Sequence, residues 1–177
     1  MSGTTMQALA AGSSAPWHHF AGLLLVILLA VVQGRVGRIG SFWQICWALP
    51  GTVLHELAHL IVAAVTGGRP VGFSIIPHRD RGGWLLGSVT ISRPGPISAL
   101  PSALAPLALN AVAYYLYRGW GGWFPMDLPH TLAMYAAVYL FAYSSIPSGQ
   151  DLRVACSSPA GVLLYSCLGG GAWFLLH

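Results

Sequence analysis

Five long apolar runs dominate the pattern of hydrophobic and polar positions along the chain. Polar residues fall mainly in the short connections, and each run is close to the roughly 20 residues that cross about 30 Å of hydrocarbon as an α-helix. The runs lie near residues 17 to 33, 43 to 66, 98 to 117, 129 to 146 and 157 to 176. The pattern therefore predicts an α-helical integral membrane protein with about five transmembrane helices.

A different pattern occupies the interval between the second and third runs. It contains two strand-like segments, VGFSII at 71 to 76 and WLLGSVTIS at 84 to 92, on either side of the turn-rich PHRDRGG. Such a pattern predicts a β-hairpin over about residues 70 to 93. Several of its side chains are apolar on both faces, so we expect the hairpin to lie against or dip into the membrane surface.

Composition supports a membrane location and excludes nucleic-acid binding. The chain is 55% hydrophobic and 7% charged, which leaves too few ionisable side chains to cover a soluble domain of this length. Its eight arginines are scattered singly and form no basic face. We expect one compact domain in the lipid bilayer over residues 1–177, with no separate soluble domain.

The arginines also bear on orientation. If the connections after the second and fourth runs face the cytoplasm, five arginines lie inside and three outside, which favours a cytoplasmic N-terminus. The first run is expected to be a membrane anchor and not a secretory signal, because no Lys or Arg precedes it and no A-x-A-like site closes it.

Candidate metal chemistry lies in the second run, in the sequence HELAH. His55 and His59 are four residues apart, so on a helix they share one face and can bind one metal ion. Glu56 follows the first ligand, where a carboxylate can take a proton from a metal-activated water without being a ligand itself. A histidine pair hydrogen-bonded inside a helix bundle is the plainer alternative. However, a carboxylate at mid-span costs about 2.5 to 3.5 kcal/mol, and such residues usually mark function. Pro50 and Gly51 are expected to start, break or kink the helix just before the motif.

A catalytic zinc usually takes three protein ligands and keeps its fourth position for water, so a third ligand is expected downstream. We choose Asp151, because Pro147 and Gly149 break the helix beside it and let the backbone bend toward a site. Glutamate is excluded as the third ligand, since none follows Glu56 in the chain.

Four other residues downstream could supply a ligand and are weaker candidates. Asp80 stands between two arginines and is better explained as an exposed turn residue. Asp127 is expected in a loop at the opposite membrane face. His78 and His130 stay open as ligands, but neither lies in a helix-breaking segment at membrane depth.

Two motifs, HELAH and a later SxxPSxxD, together resemble the site-2 protease family of intramembrane zinc metalloproteases. The second motif comprises Ser144, Pro147, Ser148 and Asp151. The resemblance implies a three-helix core over about residues 43–155, with zinc held by the two histidines and Asp151. It also implies that the hairpin pairs with an extended substrate. The family's common LDG around the aspartate is here QDL.

The segment APLALN resembles the proline and asparagine pattern on the family's next core helix, with Ala105 in place of the usual glycine. The resemblance implies that Asn110 orients substrate or stabilises the oxyanion. An interhelical hydrogen bond from Asn110 is an equally good interpretation. Ser144 and Ser148 are expected to be local backbone caps or helix-packing residues.

These observations predict a zinc metalloendopeptidase that hydrolyses a peptide bond in or near the transmembrane segment of a single-span membrane protein. The alternation in GSVTIS makes Val89 and Ile91 candidates for holding substrate as an added strand. The alternative is a non-catalytic membrane metal-binding or scaffold protein that retains the motif. Glu56 discriminates between them, because a metal store needs no carboxylate there.

Overall fold

A computed structural model of the chain describes residues 16–74, 78–80, 83–85, 87–92, 95 and 97–176. These residues are mostly helical. The helices are α1 (Pro16–Ile39), α2 (Ser41–Val65), α3 (Ala99–Leu104), α4 (Ala108–Trp123), α5 (Leu128–Ser144), α6 (Gly149–Cys156) and α7 (Pro159–Leu176), and a 3-10 turn, Ala105–Leu107, joins α3 to α4. The strands are β1 (Pro70–Ser74), β2 (His78–Asp80), β3 (Gly83–Leu85) and β4 (Ser88–Ile91).

Among the described residues, three helical stretches are long and apolar enough to cross a membrane. They are Trp17–Ile39, Ser41–Val65 and Ala99–Trp123, the last combining α3, the 3-10 turn and α4. Large apolar side chains point outward from α1, which a soluble protein rarely allows but lipid favours: Phe20, Leu24, Ile27 and Leu28 are each more than half exposed. The membrane helices are therefore confirmed, but the count of five spans is not, because among the described residues only these three stretches have the length and hydropathy of a span.

Helix α2 runs without interruption through Pro50. The expected start or break of the helix at Pro50 and Gly51 is therefore wrong, whereas the alternative of a kink there stays a prediction. Proline removes one helical hydrogen bond, whereas ending a helix within a membrane would leave several backbone groups without partners, so the smaller loss is tolerated. The second expected break is present, since α5 ends at Ser144 and α6 begins at Gly149.

The predicted hairpin is confirmed in its described strands. β1 pairs antiparallel with β4, with Phe73 opposite Val89 and Ser74 opposite Ser88, and a β-bulge follows Pro70. β2 pairs antiparallel with β3 nearer the tip. Within the described part of the chain each of these sheets has only two strands, so β4 keeps one edge that is not bonded to another strand. The residues of the hairpin at 75–77, 81–82, 86 and 93 lie outside the described residues.

The chain separates into two compact units. One comprises Met1–Trp47 and Asn110–Tyr143, and the other comprises Ala48–Leu109 and Ser144–His177. In the first unit the backbone of Gly22 lies directly against the ring of Tyr135. The second unit contains the hairpin, and in it α3 packs against α6 and α7. Small buried residues on α3 and α6, among them Ala99, Ala103 and Ala155, permit this close packing. The prediction of a single membrane-embedded domain stays a prediction.

Candidate metal site

The two histidines of HELAH lie together on one face of α2, in the second unit. Their Nε2 atoms are 3.1 Å apart, and their rings meet edge to face with centroids 4.8 Å apart. His59 is buried and His55 is partly buried. The helical spacing of four residues thus brings two nitrogen donors to one point, as the sequence predicts.

Each histidine ring is fixed by a backbone carbonyl on its other side. His55 Nδ1 donates to the carbonyl oxygen of Ser144 at 2.9 Å, and His59 Nδ1 donates to that of Ser102 at 2.6 Å. A carbonyl can only accept, so Nδ1 carries the proton in both rings, and in the neutral imidazole Nε2 presents a lone pair. Metal-binding histidines characteristically have such a partner on the second nitrogen.

The carbonyl of Ser102 is available to His59 because of Pro106. In a regular helix that carbonyl would accept from the N–H four residues later, but proline has none. It accepts instead from Ala105 in a 3-10 arrangement and from the histidine. Ser144 is the last residue of α5, and the N–H four residues later, that of Ser148, donates to a side chain instead.

Asp151 is placed by the start of α6. Ser148 is the N-cap, and its hydroxyl oxygen accepts from the Asp151 N–H at 3.2 Å. The Ser148 N–H donates in return to Asp151 Oδ2 at 2.6 Å, which completes a capping box. Ser148 is therefore a backbone cap, as expected. The N–H of Ser148 points at a carboxylate oxygen of Asp151 and favours the ionised form of that side chain.

The carboxylate of Asp151 faces both histidines. Oδ2 is 3.2 Å from His55 Nε2, and Oδ1 is 3.1 Å from His59 Nε2. With both Nδ1 atoms protonated, the lone pairs of the two nitrogens converge with those of the carboxylate, whose two oxygens each face a different histidine. These lone pairs repel unless a cation lies among them. Among the described residues, the His, Cys, Asp or Glu side chains that lie close enough together to hold a metal ion are those of His55, His59 and Asp151.

The spacing and the donor types fit zinc. Four ligands placed tetrahedrally about 2.0–2.1 Å from zinc are about 3.3–3.4 Å from each other. The two histidine nitrogens, 3.1 Å apart, are close to this value, and one ligand atom from each of the three residues lies within 4.8 Å of the others. Two imidazole nitrogens and one carboxylate form a ligand set suited to zinc, and three protein ligands leave one position for water or substrate.

Glu56, the predicted catalytic carboxylate, is partly buried on α2 directly after His55. The hairpin backbone covers it at Gly87, the residue before β4. A Cβ on Gly87 would lie 2.6 Å from Glu56 Cγ and 2.9 Å from Thr52 Cγ2, closer than real atoms approach. The role of Gly87 was not predicted, although a glycine inside a strand-like segment often marks a close backbone approach.

The weaker metal candidates are not part of the triad. Asp127 is exposed and belongs to the first unit, where it accepts from the N–H of His130 at 3.0 Å and contacts the His130 ring at 2.6 Å. His78 and Asp80 lie on β2, and their side chains are outside the described residues. Asn110 is an exposed residue of α4 in the first unit, and its catalytic role stays a prediction.

Comparisons of the chain with protein-family models, with curated proteins and with solved structures found no match. The chemistry of the site is therefore argued from its own residues and geometry.

Proposed function

We propose that the protein is an intramembrane zinc metalloendopeptidase of the site-2 protease type. The observation that carries the proposal is the convergence of His55, His59 and Asp151: the two histidine nitrogens are 3.1 Å apart, each lies 3.1 or 3.2 Å from a different oxygen of the carboxylate, and each ring is oriented by a backbone carbonyl. Glu56 next to the first ligand separates this proposal from a site that only stores metal.

Zinc held by His55, His59 and Asp151 would supply a Lewis acid and would lower the pKa of a water molecule toward about 7. Glu56 accepts a proton as the water oxygen bonds to the peptide carbonyl carbon. It then delivers that proton to the amide nitrogen as the carbon–nitrogen bond breaks. The products are a carboxylic acid and an amine; the acid's proton then passes to the amine to give a carboxylate and an ammonium group, and no reactant besides water is needed.

The substrate is a single-span membrane protein whose scissile segment unwinds before cleavage. A helix occupies its carbonyls with its own hydrogen bonds, so attack requires an extended segment. The edge of β4 that no described strand occupies offers backbone partners for such a segment by strand addition at Val89 and Ile91. Asn110 is the candidate for orienting substrate or stabilising the oxyanion.

We propose five membrane spans, adding α5 and α7 to the three candidates described above. α5 has 17 residues and α7 has 18, lengths at the lower limit for crossing the hydrocarbon of a bilayer. The N-terminus is placed in the cytoplasm, because this puts five of the eight arginines on the inner side.

Metal analysis and a matched inactive variant test the proposal. The protein, purified in detergent without chelator, is expected to hold about one zinc per chain, and the double variant His55→Ala, His59→Ala is expected to hold none. Glu56→Gln should retain zinc, because Glu56 is not a ligand, and should lose cleavage. Mass spectrometry of membrane-protein fragments in cells expressing wild type or Glu56→Gln would then identify the substrate.

The outcomes separate the two functions. Zinc content that does not depend on the histidines would remove the metal site. Zinc binding with identical fragment sets from wild type and Glu56→Gln would identify a metal-binding or scaffold protein without turnover.

A further inference from the structure

A cleft of about 560 Å³ lies in the second unit between the hairpin and the last helices. Val89 and Ile91 of β4 line it on one side. Ala99 of α3, Val154 of α6 and Ala160 of α7 are among the residues that line the other sides. Its size falls within the roughly 300–1,000 Å³ of sites that enclose ligands, so it is larger than a single side chain needs.

The lining selects apolar groups. The described residues around the cleft are apolar apart from Ser157 and Ser158, and they include no charged side chain. A charged group placed there would lose its hydration without gaining an ionic partner. Leucine, isoleucine or phenylalanine side chains would be favoured by burial.

The cleft lies under one face of β4. Val89 and Ile91 are two residues apart, and both are partly buried, whereas Thr90 between them is exposed. In a strand, alternate side chains point to the same face. A peptide added beside β4 would therefore direct every second side chain toward the cleft and the residues between them away from it.

The same helices carry the metal site and the cleft. α6 supplies Asp151 at its start and lines the cleft from Val154 onward, and α3 supplies the Ser102 carbonyl and lines the cleft at Ala99. At a rise of 1.5 Å per residue, the cleft begins about 5 Å from the metal-site residues along each of these helices.

We propose that this cleft is the side-chain subsite of the enzyme, and that it takes two large apolar side chains from alternate positions of the substrate. The inference rests on the proposed endopeptidase function. On this proposal the cleft determines which membrane segments are cleaved. These are the segments whose unwound part carries two large apolar residues with one residue between them.

A substrate library tests the periodicity. Each position around the scissile bond of a single-span substrate is varied among alanine, leucine and aspartate. The wild type is expected to prefer leucine at two positions two apart, to reject aspartate at both, and to accept any of the three between them. Ala160→Trp fills the cleft from an exposed position on α7. It should lower kcat/KM for the doubly leucine substrate by about 10-fold or more relative to the doubly alanine substrate.

A second variant and a matched control complete the test. Val154→Ala enlarges the cleft and should move the preference at one of the same two positions from leucine toward tryptophan. Leu163→Trp places the same indole on α7 outside the cleft lining, at a side chain that is 67% exposed, and should keep the wild-type profile. Zinc content should be equal in all three variants.

A binding measurement does not require turnover. A photo-crosslinking residue at position 160 in the Glu56→Gln background should crosslink only to every second residue of the substrate. Three results would overturn the proposal: equal crosslink yields at adjacent substrate positions, no crosslinks at all, or cleavage that does not depend on the residue at any substrate position. So would an equal loss for every substrate with Ala160→Trp, which indicates a lipid acyl chain in the cleft. Failure of the proposed endopeptidase function is distinguishable from failure of the subsite, because wild type and Glu56→Gln would then give the same cleavage fragments.

Discussion

Replacing Gly87 by alanine should displace Glu56, the proposed catalytic carboxylate, without disturbing the three proposed metal ligands. The new Cβ would stand 2.6 Å from Glu56 Cγ and 3.2 Å from its Cδ, whereas ordinary contacts begin at 3.4 Å. Relief requires a movement of about 1 Å. The Glu56 side chain is the flexible partner in this contact, so it moves before the backbone of α2 does.

The expected effect is a loss of about 10²-fold in kcat, because a 1 Å misplacement of a reacting group costs about that much. This corresponds to about 2.7 kcal/mol in activation free energy. Zinc content should stay at the wild-type level, since the clash does not involve His55, His59 or Asp151. Substrate KM should change little, because the perturbed group acts on the proton and not on binding.

The assay is cleavage of a transmembrane substrate reconstituted with purified enzyme, with zinc measured on the same samples. Gly72→Ala is the matched control: it lies on the paired strand, and its Cβ would meet only Thr90 at 3.4 Å. A Gly87→Ala protein that is folded, loaded with zinc and as fast as the wild type would refute the placement of Glu56 beneath the hairpin.

Three further predictions concern the metal ligand, its cap and the hairpin. Asp151→Ala should abolish or strongly weaken zinc binding in metal titrations, while Asp127→Ala should not; the opposite result would refute the ligand assignment. Ser148→Ala removes the acceptor of the Asp151 N–H and should weaken zinc binding by about 10–100-fold in chelator competition, so an unchanged affinity would show that the cap does not orient the ligand. Proline at Val89 or Ile91 removes a backbone donor and should reduce cleavage far more than alanine at the same position, with normal zinc; equal rates for the two substitutions would leave the hairpin as a structural cover.

The sequence was sufficient to predict where a residue lies when a periodic pattern or a helix break determines its position. The spacing of His55 and His59 places both on one face of α2, and the break between α5 and α6 at Pro147 brings Asp151 to them. Two strand-like segments on either side of the turn-rich PHRDRGG likewise predicted the hairpin in which β1 pairs with β4. In each case the position follows from local backbone geometry, which the residues nearby specify.

The sequence was insufficient where position depends on contacts between distant segments. The approach of Gly87 to Glu56 joins residues 31 positions apart, and only a glycine within a strand pattern hinted at it. Pro50 was misjudged because its local helix-breaking tendency is outweighed by the need of α2 to keep its other backbone hydrogen bonds. The span count is also unsettled by the sequence, because α5 and α7 follow their apolar runs closely but are only 17 and 18 residues long, near the lower limit for crossing a bilayer.

The histidines are oriented by main-chain oxygens, and this has a consequence for how the site tolerates mutation. Replacing Ser102 or Ser144 by alanine removes no atom that contacts a histidine, so a substitution scan would class both positions as permissive. The sensitive position is Pro106, whose replacement would return an N–H to compete for the carbonyl that fixes His59. Side-chain substitutions would therefore reveal Pro106, and not the two serines whose carbonyls orient the histidines.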